Sequence, residues 1–125
     1  MKKIIFSSLI IISFAILSFT NMPDTIIGRW QQKFPDGNVA TLVFRTDSTM
    51  DIFVNGKTFV SGNFMMKSDT LHLSDPTCNA AYFGTYTLNY FAKDSVRFIA
   101  ARDTCMGRHQ AMHQLRVGHL KPAGK

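Results

Sequence analysis

The chain has no glutamate. All eight of its acidic side chains are aspartates, and its 125 residues include only one tryptophan, four prolines and two cysteines. These shortages exclude a good deal. Glutamate favours helix and aspartate does not, so an acidic complement made only of Asp, beside abundant Thr and Phe, points away from helices and towards strands and turns. Paired-carboxylate chemistry has only scattered aspartates to draw on. The basic residues are scattered too, so the formal charge of +6 describes a solvated surface and no nucleic-acid footprint. A chain of this length is expected to fold as one domain.

A leader accounts for part of the positive charge. Met1-Lys2-Lys3 is a basic opening, Ile4 to Phe19 is almost wholly apolar, and Ser18 and Thr20 supply small residues near its end. Residues 1–20 read as a signal peptide, with a membrane anchor as the second reading. No cysteine lies near the end of the apolar run, so the expectation is a secreted or periplasmic protein with no lipid or stable membrane anchor after cleavage. Loss of Lys2 and Lys3 lowers the charge from +6 to +4. In an oxidising compartment Cys78 and Cys105 are expected to pair; two buried thiols are the alternative.

The folded domain is expected over residues 24–121. Short alternating runs follow one another: Ile26–Phe34, Val39–Arg45, Met50–Val54, Lys57–Lys67 and Thr70–Leu73, each ended by a turn signal. Pro35-Asp36-Gly37-Asn38 is one such turn, and Asn55-Gly56 is the strongest two-residue hairpin signal in the chain. The run Lys57–Lys67 is long enough to need a kink, and Gly62 is the expected place for it. The stretch Asp75 to Arg108 organises the rest. Tyr86, Leu88 and Tyr90 share one face of a sixth strand, and Val96 and Phe98 share one face of a seventh. Lys93-Asp94 turns between them, and the two cysteines stand at the outer ends of this hairpin. Leu115–Lys121 supplies an eighth strand. With no helix of crossover length between strands, the expected fold is all-β: an antiparallel up-and-down barrel of about eight strands, with a short helical turn before the last one.

A Gly-x-aromatic step recurs in Gly28-Arg29-Trp30, Gly62-Asn63-Phe64 and Gly84-Thr85-Tyr86. The first resembles the Gly-x-Trp signature of lipocalins. With Asp75-x-x-Cys78 and Asp103-x-Cys105-x-x-Arg108, the mature chain resembles small exported bacterial lipocalin-like domains. The resemblance implies a non-catalytic binding protein that takes a small apolar or amphipathic molecule inside its barrel. The lining would then come from Leu42, Phe44, Ile52 and Phe64 on the early strands, and from Met66, Tyr86, Leu88 and Phe98 on the later ones. It also implies a structural role for Trp30 at the closed end of the barrel. A late basic residue, Arg108 first and Arg116 second, would pack on the indole as a cation over an aromatic plate.

Two other readings compete. A solid barrel whose rim loops contact a protein partner, such as an exported enzyme to be inhibited, is one. A metal or haem carrier is the other, because His109 and His113 are one helical turn apart with Met106 and Met112 nearby. A bland reading of the histidines is a short capping helix with solvent-facing rings, so no cofactor is expected. Asp75 and Asp103 come together if the cysteines pair, and turn hydrogen bonds beside each cysteine are their expected use. Ser61, Ser74 and Ser95 have no nucleophile motif around them. No catalytic activity is expected.

Overall fold

The computed structural model describes residues 26–121; the expected leader lies outside the described residues. Eight strands and one helix follow in order: β1 (Gly28–Lys33), β2 (Val39–Phe44), β3 (Thr49–Val54), β4 (Lys57–Lys67), β5 (Thr70–Ser74), β6 (Gly84–Phe91), β7 (Ser95–Arg102), α1 (Met106–Met112) and β8 (Arg116–Leu120). Each strand pairs with the next, and β8 returns to β1, which makes one closed antiparallel barrel. Trp30 opposite His119 is at the centre of the closing ladder. Closure removes the two exposed edges that an open meander would leave.

The alternation seen in the sequence sets the two faces. Trp30, Leu42, Phe44, Phe64, Leu71, Leu73, Tyr86, Leu88, Val96 and Phe98 are buried in one core. Their strand neighbours Arg29, Ser61, Asn63 and Asn89 are exposed. An apolar interior inside a polar wall is the inverse of a membrane barrel, which turns its apolar band outward. Among the described residues no helix is long and apolar enough to cross a membrane.

The turns obey the backbone chemistry read from them. Asn55 and Gly56 both have positive φ, as the favoured two-residue hairpin requires. Asn55 also accepts a hydrogen bond from the Val39 amide at 2.8 Å, which ties this turn to the start of β2. In β4 the expected kink at Gly62 is not where the irregularity falls. The register slips opposite Ile52 and Phe53, whose partners are Val60 and Thr58, so Phe59 is the extra residue. A bulge here lets Val60 stay opposite Ile52 while Phe59 leaves the ladder and stands 69% exposed.

Alternate connections lie at alternate ends of the barrel. One end carries the chain entry at Ile26 and the turns after β2, β4 and β6. The other carries the turns after β1 and β3, the long β5–β6 connection, and α1. Trp30 belongs to the entry end, where it is fully buried and its Nε1 donates to the Ile26 carbonyl at 2.8 Å. The His119 ring meets it edge-on at 4.8 Å between centroids, and Tyr90 lies at 6.5 Å. Gly28 serves this contact, for a Cβ there would stand 2.8 Å from His119 Nε2. The aromatic plate therefore has a histidine as its neighbour, not the expected Arg108, which lies at the opposite end with α1. Trp30→Ala is expected to cost about 3–5 kcal/mol in denaturant unfolding, the range for a large core aromatic. A cost under about 1 kcal/mol would show that the entry end repacks freely.

Candidate functional site

The other end of the barrel is built from two short turns that each begin with an aspartate. Asp75 follows β5 directly, and its Oδ1 accepts from the Thr77 amide at 3.0 Å and from the Thr77 hydroxyl. Asp103 follows β7, and its Oδ1 accepts from the Cys105 amide at 2.9 Å. These are the expected turn bonds beside the cysteines. They set Cys78 and Cys105 at a Cα separation of 6.0 Å, and the two are joined by a disulfide. Closing a loop across 27 positions contributes about 3–4 kcal/mol by the chain-entropy relation.

Both aspartates have a second duty that their turn roles did not reveal. Arg108, on the inner face of α1, donates from Nε to Asp103 Oδ2 at 2.7 Å and from the same guanidinium to Asp103 Oδ1 at 2.9 Å. Its remaining terminal nitrogen reaches Asp75 Oδ2 at 3.0 Å. All three side chains are more than nine-tenths buried. The Tyr86 hydroxyl also donates to Asp103. Gly84 makes that approach open, because a Cβ at this position would run into the Asp103 carboxylate. The Gly84-x-Tyr86 step is thus a carboxylate seat: Gly clears the space and Tyr supplies a donor.

The charge states follow from these contacts. Burial pushes the Asp103 carboxyl up, but the bonds from Arg108, Tyr86 and the Cys105 amide outweigh it and hold the group below the ordinary carboxylate range. Arg108 is raised: burial works against its charge, and the two carboxylates more than offset that. The Tyr86 hydroxyl is pushed well above its usual value, first by burial and then by its bond to the Asp103 carboxylate. Acid catalysis by paired carboxylates needs one carboxyl held protonated near neutrality; Asp103 is shifted in the opposite direction.

Between this cluster, the barrel wall and the helix lies a cavity of about 430 Å³. Met50, Ile52, Val60 and Leu73 form its barrel side, and Ala111 and Met112 its helix side. The disulfide and the bulged Phe59 border it, and Ser74, Asp75, Thr77 and Arg108 give it one polar region. Of the eight residues expected to line a ligand site, Ile52 borders this cavity and the other seven do not. Leu42, Phe44, Phe64, Tyr86, Leu88 and Phe98 are closed into the core, and Met66 packs against it. Large aromatics fill the barrel's middle: Phe44 and Phe64 meet edge-to-face at 5.1 Å. The cavity lies where residues of the β5–β6 connection and α1 take over from them.

Helix α1 itself is shorter than the Cys105–His113 stretch that suggested it, and Arg108 and Met112 are its inward residues. His109 and His113 are half-buried, not solvent-facing, with rings 5.4 Å apart. His113 Nδ1 accepts from the Ala100 amide at 3.0 Å, so in the neutral ring the proton sits on Nε2 and no lone pair is free for a metal. Among the described residues no cluster of three or more metal-ligating side chains forms. The chain matches no protein-family model and no curated protein.

Arg108→Met strands two buried carboxylates and is expected to cost about 3–5 kcal/mol in denaturant unfolding. In a double-mutant cycle with Trp30→Phe the two costs should add within about 0.5 kcal/mol, since the sites are at opposite ends; a larger coupling would contradict the placement of Arg108. The shift at Asp103 has a further consequence. Its folded value lies below the unfolded one, so its stabilisation is full above about pH 4 and is lost as pH falls through the folded value. The melting temperature is expected to drop as the pH falls below about 4, more steeply in the parent than in Asp103→Asn. Parallel acid limbs in the two proteins would assign the drop to other carboxylates.

Proposed function

We propose that this is a non-catalytic, exported binding protein that holds a small apolar or amphipathic molecule in the cavity beneath α1. The observation that carries the reading is the cavity itself. At about 430 Å³ it falls within the roughly 300–1,000 Å³ usual for small-molecule sites. Its walls are mainly Met, Ile, Val and Leu, with a few polar groups gathered at one side, which is the usual composition of such a site. The disulfide suits an oxidising compartment, in keeping with the leader read from residues 1–20. The closed meander and the buried Trp30 agree with the lipocalin-like resemblance in outline.

A protein-interaction module is the second reading, and two residues favour it: Phe59 and Met106 are 69% and 61% exposed near the cavity mouth. Exposed aromatic and Met side chains suit a protein contact. A module working only through its rim has no use for a cavity of this size, which is why the ligand reading comes first. Haem or metal carriage is the weakest of the three, because it would require His113 to give up its bond to Ala100.

Nile red, an uncharged apolar fluorophore, is expected to brighten on binding the purified domain. Ala111→Trp places an indole into the cavity from the exposed side of the helix. It should abolish the brightening while the far-UV circular dichroism stays that of the parent. Undiminished binding in Ala111→Trp would exclude the cavity as the site.

A further inference from the structure

The ligand reading leaves the chemistry of the ligand open, and the polar side of the cavity narrows it. Among the described residues only two charged ones border the cavity, Asp75 and Arg108, with Asp103 bonded to Arg108 behind it. The guanidinium uses three of its five N–H bonds on the two aspartates. Asp103 has both oxygens occupied twice over, by Arg108, Tyr86 and the Cys105 amide. Asp75 Oδ2 carries one hydrogen bond and keeps room for a second. Ser74 also lines the cavity, is 1% exposed, and holds the one buried side-chain polar atom among the described residues without a hydrogen-bond partner.

Resting on the ligand reading, we infer that the cavity selects an amphipathic molecule whose head donates a hydrogen bond, such as an alcohol or primary amide on an apolar chain, over one whose head cannot donate, an ether or a carboxylate. An anionic head would have to lie against Asp75 and compete with two buried carboxylates for an Arg that they already hold. With two carboxylates on one guanidinium the cluster already carries excess negative charge. An anionic head therefore finds no unpaired counter-charge there, and a buried ion without one is strongly disfavoured. A hydroxyl meets complementary groups instead: the spare N–H bonds of Arg108 to accept from, the open side of Asp75 to donate to, and the Ser74 hydroxyl to do either. Ser74 thereby gains the partner that it lacks.

The test uses displacement of Nile red from the purified domain by three ligands with ten-carbon skeletons. A chain of that length fits at the roughly 30 Å³ that a water-sized group occupies. Decanol is compared with methyl nonyl ether, its isomer without a donor, and with decanoate. Uncharged molecules enter any apolar cavity more readily than ions, so the decisive comparison is between the two uncharged isomers. Decanol should displace the dye at a concentration several-fold to about tenfold below the ether, the scale of one hydrogen bond, and further still below decanoate. In Ser74→Ala, which removes a hydroxyl that has no partner and so leaves the fold intact, the lead of decanol over the ether should shrink several-fold. An ether equal to decanol, decanoate matching decanol, or an unchanged lead in Ser74→Ala would overturn the head-group inference alone. Failure of Nile red to bind the parent would overturn the ligand reading and this inference with it.

Discussion

The guanidinium of Arg108, shared between Asp103 and Asp75, is the contact on which the mouth of this barrel depends. Each partner comes from a different part of the chain. Asp75 closes β5, Asp103 closes β7, Tyr86 reaches in from β6, and Arg108 is carried by α1. One planar, permanently charged group with donors on three sides can hold such an arrangement; a lysine could not reproduce the two-pronged contact with Asp103. The disulfide joins the same two turns covalently. The helix is only two turns long and would be marginal alone. It is held by what it carries inward, Arg108 into the carboxylates and Met112 into the core.

This organisation divides the barrel by length. At the entry end the interior is continuous: Trp30, Phe44, Phe64 and Val96 are closed against one another and the indole N–H is satisfied by Ile26. At the other end the apolar filling stops at Met50, Ile52 and Leu73, and buried charge begins. Charged groups hold their positions by geometry and do not relax into adjacent space as a methylene would. A gap beside them therefore persists where an apolar core would shrink it. The cavity lies at this junction, with apolar walls on one side and fixed dipoles and charges on the other.

The strands were legible because alternation is a local signal and the chain follows it from β2 to β7. Turn chemistry at Pro35-Asp36-Gly37-Asn38 and Asn55-Gly56 fixed where they end. Closure was legible from the count of strands and the absence of crossovers. The site was not. Leu42, Phe44, Tyr86 and Phe98 point inward, as alternation demands, but inward means core or cavity according to how neighbouring rings fill the barrel, and periodicity has no access to that. The bulge at Phe59 was hidden because Gly62 offered a more obvious break; the slip is set by keeping Val60 opposite Ile52, a matter of cross-strand packing. For Arg108 the spacing Asp103-x-Cys105-x-x-Arg108 held the signal. An aspartate five residues before an arginine across a helix start can turn back onto it, and the disulfide brings the second aspartate within reach. The single Trp drew that arginine to the wrong end, while the residue that does meet the indole, His119, carries no motif beyond its register opposite Trp30.

The buried cluster costs stability before it returns any. Two carboxylates and a guanidinium are taken out of water, and well-packed apolar residues of similar volume often hold such a position as firmly or more so. The disulfide already secures the same turns. Stability is therefore an incomplete reason for three ionised side chains to stand at the edge of a cavity. A second property separates them from an apolar plug. They present N–H donors and a carboxylate oxygen in fixed directions at the border of an otherwise apolar space, beside a serine hydroxyl with no partner. An apolar plug would leave that space indifferent to what enters it. On the proposed ligand reading the charged cluster would make it discriminate by head group, and because two aspartates hold one arginine, it offers no free counter-charge to an anion.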